Sequence, residues 1–213
     1  MHVVQKCSYL GLVTETLRDR KKRQTRQALV RATLRLAAEK GLDHVTVEEI
    51  STAADVSTRT FFNYFQGKDE AVASSDPEAG PRLRDRIRNQ PAQHTPFEAL
   101  KKALLDEVAD ELTEDRDLWL LRKQVIGQHP ELLAKVFASG ELAERHLVAA
   151  IAERSGLAET DTYPMMLTAA TGAAFRVAMA RWACVERPLG ELLGEALDVL
   201  GAGLSEVPTQ GGS

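Results

Sequence analysis

From residue 25 onward, apolar residues recur at three- and four-residue spacing, and no strict alternation stands out. That period predicts an all-α chain. Leu29, Ala32, Thr33, Leu36 and Ala37 give a helix over 25–40 one apolar face. Gly41 closes it, with Lys40 in the last turn, where the helix dipole favours a cation. Thr46 and Glu49 form a capping-box pattern ahead of a short helix, about 47–54, whose inner face is Val47, Ile50 and Ala54. Asp55-Val56-Ser57 breaks the pattern, and Ser57 can cap a second short helix, about 58–65. Two short helices joined by a three-residue turn are the helix-turn-helix layout.

A fourth helix begins at "KDEAVASS", and Pro77, Gly80 and Pro81 interrupt it. A kink or loop is expected at 76–81, then a resumed helix to Asn89 and a linker, "NQPAQHTP". Thr95 and Pro96 open a helix over 96–112. Further helices are expected at 115–128, at 130–155 with a break near Gly140, at 161–184, and from Pro188 to Leu204. Leu189, Leu192, Leu193, Ala196, Leu197, Leu200 and Leu204 form a clean apolar stripe on the last one.

The stretch "STRTFFNYF", 57–65, holds four of the chain's eleven aromatic residues. On a helical wheel, at about 100° per residue, Phe61, Phe62 and Phe65 share one arc, predicted to anchor the helix. Arg59, Thr60 and Asn63 lie opposite. Those side chains suit the major groove: Arg bridges guanine O6 and N7, Asn pairs with adenine, and Thr bonds or touches a thymine methyl. Tyr64 and Lys68 suit phosphate oxygens. Thr46 opens its helix with free N–H groups where a phosphate would sit.

Charge sharpens this picture. Residues 1–70 hold 12 Lys or Arg against 9 Asp or Glu, while the whole chain of 213 residues carries −4. A basic front on an acidic remainder indicates that one end meets a polyanion. The run "LRDRKKRQTR" reads either as a solvated tail or as a flexible arm lying along phosphates or in the minor groove. Two distant cysteines, Cys7 and Cys184, make neither a disulfide framework nor a metal site, which points to a reducing, cytoplasmic setting. The apolar run Tyr9 to Val13 is too short for a signal peptide. Arg176 and Arg181 interrupt the weakly charged stretch Tyr163–Val185, against a membrane span. There is no Gly-rich phosphate loop, nucleophile elbow or zinc-ligand spacing, so no enzyme, metal or cofactor is expected.

Residues 25–70 resemble the DNA-binding domain of the TetR family of bacterial transcriptional regulators. The matching residues are Gly41, Thr46, Val47, Ile50, Ala53, Val56, Ser57, Thr60, Phe61, Tyr64, Phe65 and Lys68. Two positions depart from the family pattern: Arg59 stands where many members have Gly, and Phe62 where many have Tyr. The first offers a base contact and the second removes a phosphate contact.

The resemblance implies a helix-turn-helix domain over 23–67 and a helical ligand-binding and dimerisation domain over 68–205; the residues themselves suggest a flexible basic arm over 1–22 and, by composition, a disordered tail over 206–213. It implies a repressor that binds a palindromic operator as a homodimer. The DNA-contact candidates are Thr46, Ser57, Thr58, Arg59, Thr60, Asn63, Tyr64 and Lys68. The dimer is expected through the last two helices. The small residues of 169–180 permit close helix approach there, and the final leucine stripe lies alongside; the alternative is that both are buried within their own subunit.

A largely hydrophobic effector is expected inside the C-terminal helices, near Trp119, Gln124, His129, Phe137, Met165, Met166, Phe175, Met179 or Trp182. The Pro77–Pro81 break is either an allosteric hinge or a plain loop. The competing reading is a helical interaction module, or a small-molecule binder, without DNA readout.

Overall fold

The computed structural model describes residues 17–111 and 116–203. No strand occurs among them, and ten helices follow one another: α1 (Leu17–Lys40), α2 (Val47–Ala53), α3 (Thr58–Phe62), α4 (Lys68–Ala73), α5 (Ala79–Arg88), α6 (Pro96–Glu111), α7 (Arg116–Gln128), α8 (Leu133–Ser155), α9 (Thr162–Trp182) and α10 (Leu189–Gly201). Single 3-10 turns at Leu42–His44 and Pro130–Leu132 precede α2 and α8.

Several expectations shift. Residues 17–22, expected in a flexible arm, form the first turns of α1; residues 1–16 lie outside the described residues, as does the expected tail. The interruption after α4 is the loop 74–78, and Pro81 sits inside the first turn of α5, where a missing N–H costs nothing. α8 runs through Gly140 without the expected break and ends at Gly156, whose φ of 70° needs no Cβ to avoid.

Two cores form. In the first, Leu29 and Leu34 of α1, Ile50 of α2, Phe61 and Phe65 pack with Val72 of α4 and with Leu118 and Val125 of α7. α7 lies far along the chain, yet it closes the core of the helix-turn-helix. In the second, Ile87 of α5, Leu100 of α6, Ile151 of α8 and Leu192, Leu193 and Leu197 of α10 bury one another. Leu189, Leu192, Leu193 and Leu197 of the α10 stripe are therefore buried inside their own subunit.

Polar clamps fix the connections. α1 runs antiparallel to α4 and is tied to it at both ends. The Lys68 ammonium donates to the carbonyls of Leu42 (2.8 Å), Asp43 (3.1 Å) and Val45 (3.0 Å), just past the end of α1. Its three protons meet three acceptors, so it clamps that turn. At the other end, Arg26 donates to Ser74 Oγ and to the Ser75 carbonyl, both at 2.8 Å. The stretch between α5 and α6 is likewise held: Arg154 donates to the carbonyls of Ile87 (3.3 Å), Gln90 (3.2 Å) and His94 (2.9 Å), and also of Pro91.

α5 is wedged between α6 and α8. Glu107 of α6, buried at 5% exposure, pairs with Arg82 at 2.6 Å and Arg86 at 3.0 Å; Arg82 also holds Asp76 at 2.8 Å. Burial works to lower the Arg82 pKa, but the bonds to Glu107 and Asp76 win, so it is raised above the ordinary arginine value. On the α8 side, a Cβ at Gly80 would lie 2.8 Å from the His146 ring and 3.2 Å from the Ala143 Cα.

Two outcomes are expected. Gly80→Val forces α5 off α8 and lowers unfolding stability by about 1–3 kcal/mol; a variant as stable as the wild type in thermal denaturation contradicts the close approach. Lys68→Ala lowers stability by about 1.5–3 kcal/mol, because it removes charge-assisted bonds to three carbonyls. Loss of DNA affinity at unchanged melting temperature would restore Lys68 as a phosphate ligand.

Candidate functional site

The reader is built by caps. Thr46 caps α2: its Oγ1 accepts the Glu49 N–H at 3.2 Å, and the Glu49 carboxylate accepts the Thr46 N–H at 2.9 Å. Lys40, at the end of α1, also donates to Glu49. These bonds, that of Lys40 first, pull Glu49 from its ordinary 4.5 down to about 2. Asp55 takes φ 54°, turning the chain between α2 and α3 in a conformation that Asp tolerates better than most residues. Ser57 then caps α3, its Oγ accepting the Thr60 N–H at 3.1 Å and lying 2.9 Å from Thr60 Oγ1.

α3 is Thr58–Phe62, and Asn63 is its C-cap. The Phe65 N–H still bonds the Phe61 carbonyl at 3.0 Å, so Phe65 stays one turn on from Phe61 on the same face. Phe61 and Phe65 are buried, with ring centroids 5.6 Å apart. Phe62, expected as a third anchor, is 59% exposed and meets Phe61 edge-on at 5.5 Å. Arg59, Asn63, Ser57 and Thr46 are exposed; Thr58, Thr60 and Tyr64 are half-buried on the same part of the surface. The exposed face of α3 and its C-cap is therefore Arg59 and Asn63 with an aromatic neighbour, Phe62.

A chamber of about 370 Å³ lies where α1, the loop 74–78, α5, α6, α7 and α9 meet. Its apolar floor includes Leu83, Leu104, Leu118, Trp119, Phe175 and Met179. Its wall is cationic: Arg23, Arg26 and Arg31 from α1, Arg82 from α5 and Arg122 from α7. Its carboxylates, Asp76 and Glu107, are the partners of Arg82. The basic run "LRDRKKRQTR" thus turns Arg23 and Arg26 toward the regulatory helices. Arg26 does more: its guanidinium stacks 4.4 Å from the Phe65 ring centroid. This arginine was not among the expected ligand contacts, because the wall is assembled from separate elements.

Of the expected ligand contacts, Trp119, Phe175 and Met179 line the chamber. Trp182 backs it, its ring centroid 6.3 Å from that of Trp119. The others are elsewhere. Gln124 is exposed, Phe137 is 73% exposed, and Met165 and Met166 are 53% and 60% exposed on α9. His129 pairs with Glu131 at 2.9 Å in the turn before α8. A larger groove, about 950 Å³, separates Phe62 and Val47 from Leu142 of α8. Lys135–Asp69 (2.9 Å) and the Ser75–Ser139 hydroxyl pair (2.6 Å) link its two sides. It does not reach the tryptophans or the chamber's apolar floor.

Residues 29–73 match the tetR family of bacterial regulatory proteins, and residues 94–205 match the MftR C-terminal domain. The chain is 32% identical over 172 residues to the HTH-type transcriptional regulator TcmR of Streptomyces glaucescens, covering 78% of this chain and 76% of TcmR. Among solved structures, the TetR-family repressor FadR of Thermus thermophilus, in complex with lauroyl-CoA, is 27% identical with a TM-score of 0.50, covering 88% of this chain and all of FadR. The fatty acid degradation regulator FadR of Bacillus halodurans shares the fold at a TM-score of 0.52 and 22% identity, over 86% of this chain and 98% of that one. An amino-terminal helix-turn-helix with a larger helical body, both matched over their own segments, makes this chain a member of the TetR family of bacterial transcriptional regulators.

Proposed function

We propose that this regulator is a repressor that binds a palindromic operator as a homodimer in the cytoplasm, and that a small molecule in the chamber releases it. The observation that carries this reading is α1, which packs under the reader at one end and lines the chamber at the other. Arg59 and Asn63 are the base-reading side chains, with Thr58 and Thr60 beside them. Thr46, Ser57 and Tyr64 position the duplex through its phosphates. The apolar floor suits an effector with an apolar body, and the lauroyl-CoA held by the Thermus FadR, an acyl thioester, supports that class. No catalytic role is assigned to the chamber.

The dimer surface is narrower than the sequence implied. With the α10 leucines internal, what supports it is the outer face of α9. There Met166, Ala169, Ala173, Val177 and Ala180 are all exposed on one apolar stripe whose small residues let a second copy of the helix approach. A two-fold pair would set two readers about 34–36 Å apart, or a multiple of that, and a palindromic site would mirror it.

Selection of bound DNA from a random pool tests the reading. It should enrich a palindrome, and Arg59→Ala or Asn63→Ala should lose about 1–3 kcal/mol of discrimination over random DNA. Enrichment of no sequence, or normal discrimination by both variants, leaves a helical binding protein without readout. Val177→Asp should convert a dimer to a monomer in sedimentation experiments; a monomeric wild type, or an unaffected dimer, removes α9 from the interface.

A further inference from the structure

We propose that Phe62 reads a thymine: its ring lies against the C5-methyl group of one base in each half of the operator, beside the base read by Arg59. This rests on α3 being the DNA reader, and adds a third base-reading side chain and the base that it selects.

Position carries this more than exposure does, since a single exposed aromatic is ordinary on a protein surface. The Asn63 N–H bonds the Arg59 carbonyl at 3.2 Å, so the helical turn runs on through the C-cap. At about 100° per residue, Phe62 then lies about 60° from Arg59 on one side, and Asn63 about 40° from it on the other. Phe61 and Phe65 point the opposite way, at 0% and 2% exposure, while Phe62 is 59% exposed. A guanidinium, a carboxamide and a bare ring therefore share one outward arc.

The ring is also held. It meets Phe61 edge-on, with centroids 5.5 Å apart and planes at 87°. Phe61 is sealed in the core, so Phe62 leans on a fixed support and has little freedom left to lose on docking.

The chemistry of the ring then selects its partner. A phenyl group has no donor or acceptor, so it bonds neither a phosphate oxygen nor the polar atoms of a base edge. The apolar group that base edges offer in the major groove is the thymine methyl. Side chains three apart on a helix have Cβ atoms about 5–6 Å apart, and successive base pairs are about 3.4 Å apart, so the thymine falls within about two base pairs of the base read by Arg59. The same ring borders the groove opposite Leu142 of α8. A role in the groove would be blind to the methyl group, which makes the two roles separable.

The test uses the full chain and the DNA selected from the random pool. Each thymine of the half-site is exchanged in turn, in both halves, for deoxyuridine, which lacks the methyl group and keeps every hydrogen-bonding group. Affinity is followed by fluorescence anisotropy. One exchange, within about two base pairs of the position whose preference Arg59→Ala relaxes, should weaken wild-type binding about fourfold per half-site and roughly fifteenfold for both, the effect of one buried methyl group. Phe62→Ala should bring that ratio to about one, and Phe62→Leu, still apolar, should keep part of it. Both variants should melt close to the wild type; loss of the fold in Phe62→Ala makes the ring a core anchor and overturns the assignment. No sensitive thymine, or a ratio that Phe62→Ala leaves intact while weakening all DNA alike, returns Phe62 to the groove and leaves α3 as the reader. A pool that enriches no sequence overturns both.

Discussion

Glu107 is a carboxylate almost sealed from water, and its two arginine partners decide where α5 lies. A buried pair of this kind is poor evidence of stability, because well-packed apolar residues do as well. Losing one partner, however, leaves a charge stranded at a cost of about 3–5 kcal/mol. Its role here is positional. Arg82 uses two nitrogens for Glu107 and the third for Asp76, so the register of α5 on α6 also sets the loop 74–78. That loop supplies Ser74 and Ser75 to Arg26, and Arg26 reaches Phe65. A chain of polar contacts therefore runs from the regulatory core to the reader without a flexible spacer. Gly80 against α8 removes the remaining freedom of α5 on its other side.

The chamber sits on the seam between the two cores, which is where a small molecule has most leverage. Packed interiors change between discrete arrangements rather than deforming smoothly, so a ligand must favour one arrangement by differential contact. A molecule touching Arg26 and Phe175 together touches both halves of the protein at once. Neither core needs to be rearranged internally for the seam between them to shift.

Local chemistry was legible in the sequence wherever one short segment determines it. The capping pair Thr46–Glu49, the Thr95 and Ser57 caps and the closing turns at Gly41 and Gly156 all follow from residues a few positions apart. Phe62 was misread because it sits at the edge of the arc. Phe61 and Phe65, one turn apart and joined by an i→i+4 bond, take the core side, and Phe62, about 100° round from Phe61, faces water. Lys68 looked like a surface cation because its three carbonyl partners lie more than twenty residues upstream. The chamber's cationic wall was invisible for the same reason. Its arginines come from three helices, and a search for bulky apolar residues passes over them. The leucine stripe of α10 was seen correctly as apolar, but periodicity says nothing about which neighbour covers it.

The position of α7 bears on how such regulators can be recombined. A chain that reads as an exchangeable head followed by a sensor body invites a graft at the end of the helix-turn-helix. Here that cut would carry away Phe61 and Phe65 and leave behind Leu118, Val125 and Leu132, which complete their enclosure. The transplanted head would arrive with its apolar underside uncovered, and would need a host whose corresponding helix offers side chains of matching shape. Interchange between regulators of this build is thus governed by the fit of one distant helix, and a workable chimera has to bring α7 along with the residues it covers.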